Sequence, residues 1–219
     1  MQRLIRSFAV FAALSASAAG AVAQAPAAPA AAGAPQQQPQ VPLPPNGWRV
    51  DMGHSAVNFR VRHLGISWVN GEFQRWAADL VYDPANPATA SVTARIQTAS
   101  VFSNSERRDN DIRSGNYLAV DSFPEMTFVS RRVEVVDATH LRISGDLTLR
   151  GVTRPVTLDT EVSSTLSGQR GKRIAFTATT TINRHDYGVV FNRMTEGAQV
   201  VGDEIRITID IEAIQPVAS

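Results

Sequence analysis

From Gly47 onward, apolar and polar residues alternate with a period of two. That is the mark of strands with one buried and one wetted face. Val57, Phe59, Val61 and His63 share a side opposite Asn58, Arg60 and Arg62, and Val92, Ala94 and Ile96 repeat the pattern. It returns in Leu141 to Leu149, in Val156 to Val162, and in Ile174, Phe176, Ala178, Thr180 and Ile182. In the last run, Ile205, Ile207, Ile209 and Ile211 alternate with Arg206, Thr208, Asp210 and Glu212. Turn chemistry separates the runs, at His63-Leu64-Gly65, Asp83-Pro84 through Pro87, Asp137-Ala138-Thr139, Gly151-Val152-Thr153, Ser167-Gly168 and Glu196-Gly197.

Segments near 55–64, 66–82, 90–98, 125–136, 140–149, 154–165, 173–183 and 198–213 predict eight strands. The fold class is all-β, an eight-stranded antiparallel up-and-down barrel with room for packed side chains or one ligand. A two-sheet sandwich has the same alternation and is the main alternative. One stretch breaks the rhythm: Asn104 to Val120, between the third and fourth strands, where Asn104 or Ser105 is placed to cap a short helix. The charges of that helix, Glu106 through Arg113, sum to zero, so pairing among themselves is the simplest reading.

The inward positions include Ala94, Gly145, Thr160, Ala178 and Thr180 beside few aromatics, Phe59, Phe128 and Phe176 among them. Small residues fit either a tapering packed core or a hollow one. If the interior is hollow, strands of ten residues, about 33 Å long, suit a thin apolar chain better than a compact metabolite. Val57, Phe59, Val61, Phe128, Leu147, Ile174, Phe176 and Ala178 are the candidate lining. His63 ends the apolar face of its strand, as a hydrogen-bonded core histidine or as a polar contact near a cavity mouth.

Composition changes the picture at the amino terminus. Arg3 and Arg6, an apolar run from Phe8 to Ala19, and Ala21-Val22-Ala23 read as a signal peptide over residues 1–23. The run has about 12 residues where a membrane span needs roughly 20, so no stable membrane insertion is expected. Export then ends in a periplasmic product. Residues 24–46, rich in Ala, Pro and Gln, read as a disordered tether, and residues 47–219 as one domain.

The chain of 219 residues has no cysteine, which removes disulfides, thiolate metal sites and thiol nucleophiles. Its net charge of +1 becomes −1 once Arg3 and Arg6 leave with the signal, so a nucleic-acid partner is not expected. His54, His63, His140 and His185 show no metal-ligand spacing, and Asp51, His54 and Ser55 are only sequence neighbours, a poor basis for a triad. No nucleophile elbow, phosphate loop or dinucleotide fingerprint occurs. Neither a catalytic site nor a cofactor is expected.

Four motifs carry a family resemblance: His54-Ser55-Ala56-Val57-Asn58-Phe59-Arg60-Val61-Arg62-His63-Leu64-Gly65; Gly145 through Val156; Ile182-Asn183-Arg184-His185-Asp186-Tyr187-Gly188; and Val201-Gly202-Asp203-Glu204. The chain resembles the YceI-like, or polyisoprenoid-binding, proteins from about Trp48 to Ala213. The resemblance implies a lipocalin-like eight-stranded barrel, an elongated apolar pore for a long-chain isoprenoid or acyl ligand, a non-enzymatic binder and a homodimer. The chain departs from the family at Asp111 and Ile112, where histidine and leucine are usual, and along Gly115 to Ala119. That segment is expected to cover one barrel end, where Arg108 and Arg113 are candidates for an anionic head group. The leading expectation is a carrier of a polyisoprenoid, a quinone or a fatty-acid derivative. The runner-up is an envelope stress or interaction module with a packed barrel, and a hydrolase built from scattered His and Asp residues comes third.

Overall fold

A computed structural model describes residues 42–168, 171–195 and 197–216. The expected signal peptide and most of the expected tether lie outside them. The strands in chain order are β1 (Gly47–Val50), β2 (Ala56–His63), β3 (Ser67–Phe73), β4 (Trp76–Val81), β5 (Ser91–Gln97) and β6 (Val101–Phe102). After helix α1 (Glu106–Arg113) come β7 (Glu125–Val135), β8 (His140–Leu149), β9 (Val152–Val162), β10 (Leu166–Gly168) and β11 (Gly171–Asn183). The short β12 (Met194–Thr195) and β13 (Ala198–Gln199) form a separate hairpin before the long β14 (Val201–Gln215).

Every pairing is antiparallel between chain neighbours, until β14 closes the ring. One edge of β14 holds β11; the other holds β2 along its first part and β1 near its end, at Ile214 and Ala213. Three interrupted strands each count once: β1 with β2, β3 with β4, and β5 with β6. The result is a closed eight-stranded antiparallel barrel, not a sandwich. Sequence alternation missed the interruptions, the strand pieces β1 and β6 and the short hairpins, because a bend or a strand of a few residues leaves no periodic trace.

Turn geometry explains two hairpins. Leu149 pairs with Val152, so the loop is Arg150-Gly151, both at positive φ. This is the arrangement that matches strand twist in two-residue loops. The turn therefore sits ahead of the expected Gly151-Val152-Thr153. At Gly151 a side chain would also meet the Phe123 ring at 2.8 Å. Leu64 and Gly65, again both at positive φ, turn β2 into β3.

Thirteen residues of β11 at about 3.3 Å each, tilted by about 40°, make the barrel roughly 30 Å tall. One end is sealed by a core cluster of Trp48, Tyr82, Leu141, Val162, Ile174, Phe176 and Ala213. Trp48 is 1% exposed, and its indole N–H donates to the Tyr82 carbonyl at 2.8 Å. The chain enters this end through Asn46, whose carbonyl accepts from the Tyr82 N–H. The other end carries α1, the β2–β3 and β8–β9 turns, and the segment between β11 and β14. Pro155, which has no N–H, lies where β9 has no ladder partner on its β11 side.

Candidate functional site

The inward faces surround a cavity of about 670 Å³. Its walls are the residues that alternation turned inward: Val57, Phe59 and Val61 on β2, Phe128 on β7, Leu147 on β8, Phe176 and Ala178 on β11, and Ile205 to Ile211 on β14. Ile205, Ile207 and Ile209 are only partly buried although they point inward. Their accessibility is to the lumen, which a packed core would remove.

Two glycines keep the lumen open. A Cβ at Gly71 would lie 2.4 Å from the Phe59 ring, and one at Gly145 would lie 2.6 Å from the Phe128 ring. Each ring therefore packs against a glycine on a neighbouring strand, in space that a side chain there would take.

Polar groups gather at the α1 end. His63 lines the cavity there, beside Val201 in the β2–β14 ladder. Arg62, Ser105, Arg107, Arg108, Asp111 and Tyr117 complete the mouth. Burial raises the Tyr117 hydroxyl above its ordinary pKa, and that of Tyr82 deeper inside, so both stay neutral phenols. The Tyr117 ring packs edge-on against Phe191 at 5.7 Å, tying the α1 segment to the loop after β11.

Two expected site residues lie elsewhere. Ile174 is buried in the sealing cluster and is not part of the lumen wall. Its face was right, but period two does not report height along the barrel. Arg113 lies outside the cavity and donates to the carbonyls of Ala99 and Val101, at 2.9 and 2.7 Å, anchoring α1 on β6. Arg108 does reach the cavity, yet its guanidinium is held by Ser103, through the hydroxyl at 2.8 Å and the carbonyl at 2.6 Å.

The helix charges accordingly do not pair with one another, as had been expected. Asp109, 3% exposed, instead accepts from the backbone and hydroxyl of Ser103. Nor does Ser105, at the N-cap position, use its side chain as a cap. Arg107 and Asp111 are exposed at the mouth, and their side chains have no hydrogen bond or ion pair among the described residues.

Arg184 was not singled out as a site residue, although two of the quoted motifs meet on it. It is 3% exposed and donates to the carbonyls of Val189, Phe191, Val201 and Gly202 and to Asp203 at 3.0 Å. The acceptors at Val201 to Asp203 lie in a bulge, where β14 advances four residues while β2 advances two. One buried guanidinium thus fixes the loop that forms part of the mouth.

The histidines are spread apart. His54 contacts Asp51 at 3.2 Å, His140 contacts Asp137 at 2.9 Å, and His185 contacts Asp203 at 3.2 Å. Asp51, His54 and Glu212 lie close enough together to suggest a metal centre. Arg173 bonds to both carboxylates, however, and supplies the positive charge an ion would bring. Ser55 is engaged with the Asp51 carbonyl at 2.7 Å and the Glu212 backbone, so this group serves as a strand clamp.

A closed up-and-down barrel around an apolar, ligand-sized lumen defines the structural class. A family model described as a YceI-like domain matches residues 48–213, and the chain belongs to that family. A UPF0312 protein of Shewanella sp. (strain ANA-3) is 41% identical over 137 residues, covering 62% of this chain and 72% of that protein. Protein YceI of Shigella flexneri is 38% identical over 167 residues, covering 74% and 82%. Among solved structures, a Campylobacter jejuni YceI protein superposes with a TM-score of 0.61 at 28% identity, covering 70% of this chain and 89% of that one. A polyisoprenoid-binding domain from Saccharophagus degradans shares the fold, with a TM-score of 0.56 at 15% identity, covering 78% and 99%.

Proposed function

We propose that the barrel holds one long-chain amphiphile, a polyisoprenoid, a quinone or a fatty-acid derivative, and carries it through the periplasm without catalysis. The observation that carries this reading is the apolar cavity of about 670 Å³ between the sealed end and the α1 mouth. Its size falls within the roughly 300–1,000 Å³ of small-molecule sites. Burial of ten methylenes would contribute about 8 kcal/mol before the costs of association, so affinity would rise with the length of tail buried and not depend on a dense polar network. The tail would lie along Phe59, Phe128 and the β14 isoleucines. The head group would remain at the mouth, where His63, Arg62, Arg107 and neutral Tyr117 offer donors. The polyisoprenoid-binding description of the Saccharophagus neighbour favours an isoprenoid tail.

Ala94 lies on the wall, cross-strand from Ala78 and Phe128, so Ala94→Trp fills the bore without deleting any wall side chain. Titrated with a fluorescent polyprenyl or acyl probe, Ala94→Trp should lose binding while Arg206→Ala on the outer face retains it. Equal affinity in the two variants would reject the lumen as the site. It would favour the packed-barrel interaction module.

A further inference from the structure

We propose that the mouth end is also a docking surface for an anionic phospholipid bilayer. On the outer wall beside the mouth, three guanidiniums converge on one indole. Arg62, Arg60 and Arg206 lie 4.1, 4.7 and 4.9 Å from the Trp68 ring centre. None of the three forms an ion pair among the described residues, and all are exposed. Like charges gathered this closely repel one another, and a layer of lipid phosphates would relieve that.

Of the acidic side chains on this panel, Glu204 lies one outward position from Arg206 on the mouth side, and Glu72 and Asp210 are further from the mouth along β3 and β14. Three arginines against one glutamate leave the panel at the open end net positive.

Exposed apolar side chains occupy the same rim. Ile66 is 80% exposed, Val190 67% and Met194 65%. Hydrogen bonds from the Leu64 N–H to the Val200 carbonyl and from the Val200 N–H to the Arg193 carbonyl tie the turn that carries Ile66 to the strand that carries Met194. Apolar prongs flanked by arginines and a tryptophan suit the interfacial layer of a bilayer, where indole rings and cationic heads are both favoured. The proposal rests on the carrier reading for its purpose. A mouth pressed against the headgroups would let a chain pass between bilayer and lumen without being exposed to water.

The test is flotation of the protein, as exported, with phosphatidylcholine vesicles, plain or doped with phosphatidylglycerol. The wild type should float with the doped vesicles and be released by salt. An arginine at such a surface contributes about fivefold, so the double variant Arg60→Gln/Arg206→Gln should lose partition by about 25-fold. Ile66→Asp/Met194→Asp should lose it as well, and both variants should still bind the soluble chain probe. Absence of wild-type flotation on doped vesicles, or equal flotation of wild type and both variants, would overturn the proposal. Flotation that persists in a protein unable to bind any chain would leave the docking surface standing and remove the carrier reading alone.

Discussion

At the scale of single residues, the inward set on β2 was readable because a strand gives each side chain only two directions. Val57, Phe59, Val61 and His63 all reach the lumen. What could not be read was which partner a long polar side chain would choose. Arg113 was matched to a head group and in fact serves backbone carbonyls of Ala99 and Val101, contacts that exist only after α1 folds against β6. Arg184 shows the same limit, since its acceptors are brought into reach by a bulge in a strand that follows much later.

The β7–β8 turn gives a residue-scale prediction. Asp137 accepts from the Thr139 N–H and contacts His140, which holds its carboxyl down at about 2 and raises the imidazole above its ordinary 6.5. For the raised histidine, the stabilising contribution is complete below pH 6.5 and is lost as pH rises through the folded-state value. For the depressed aspartate, it is present above 3.8 and lost as pH falls toward about 2. Both groups are exposed, so the readout is titration, not unfolding. An NMR titration should place the His140 pKa above 6.5 in the wild type and return it to the ordinary value in Asp137→Asn. An unchanged midpoint would mean that the contact does not persist in solution.

Among the elements, strands were legible wherever one face met water and the other did not. The break between β3 and β4, and the hairpin of β12 with β13, were not, because neither changes the alternation over a long enough window. Parity also left the interior ambiguous, since the same small residues suit a hollow or a filled barrel. The cavity of about 670 Å³ resolves it in favour of a hollow one, with Phe59 packed against Gly71 and Phe128 against Gly145. A division of labour follows, in which the sealed end carries stability and the middle of the wall carries the cavity. Trp48→Ala should cost about 3–5 kcal/mol, as for a fully buried aromatic. Ile207→Ala, whose side chain already faces open space, should cost clearly less. Denaturant midpoints at constant slope measure the difference, and equal losses would contradict it.

For the whole molecule, the family and the closed barrel were both accessible from long contiguous motifs and from the count of alternating segments. The exposed rim was not, because Ile66 is far in sequence from Val190 and Met194 and comes to the same end of the barrel only when β14 closes on β2. A barrel sealed by Trp48 at one end and edged with polar groups at the other has one direction of entry for a chain. The most direct test of that arrangement is native mass spectrometry of the protein purified without detergent, followed by organic extraction. The carrier account predicts one long-chain amphiphile per barrel, released by extraction and absent from Ala94→Trp. A wild-type barrel that is repeatedly empty, and takes up no chain on titration, would contradict it.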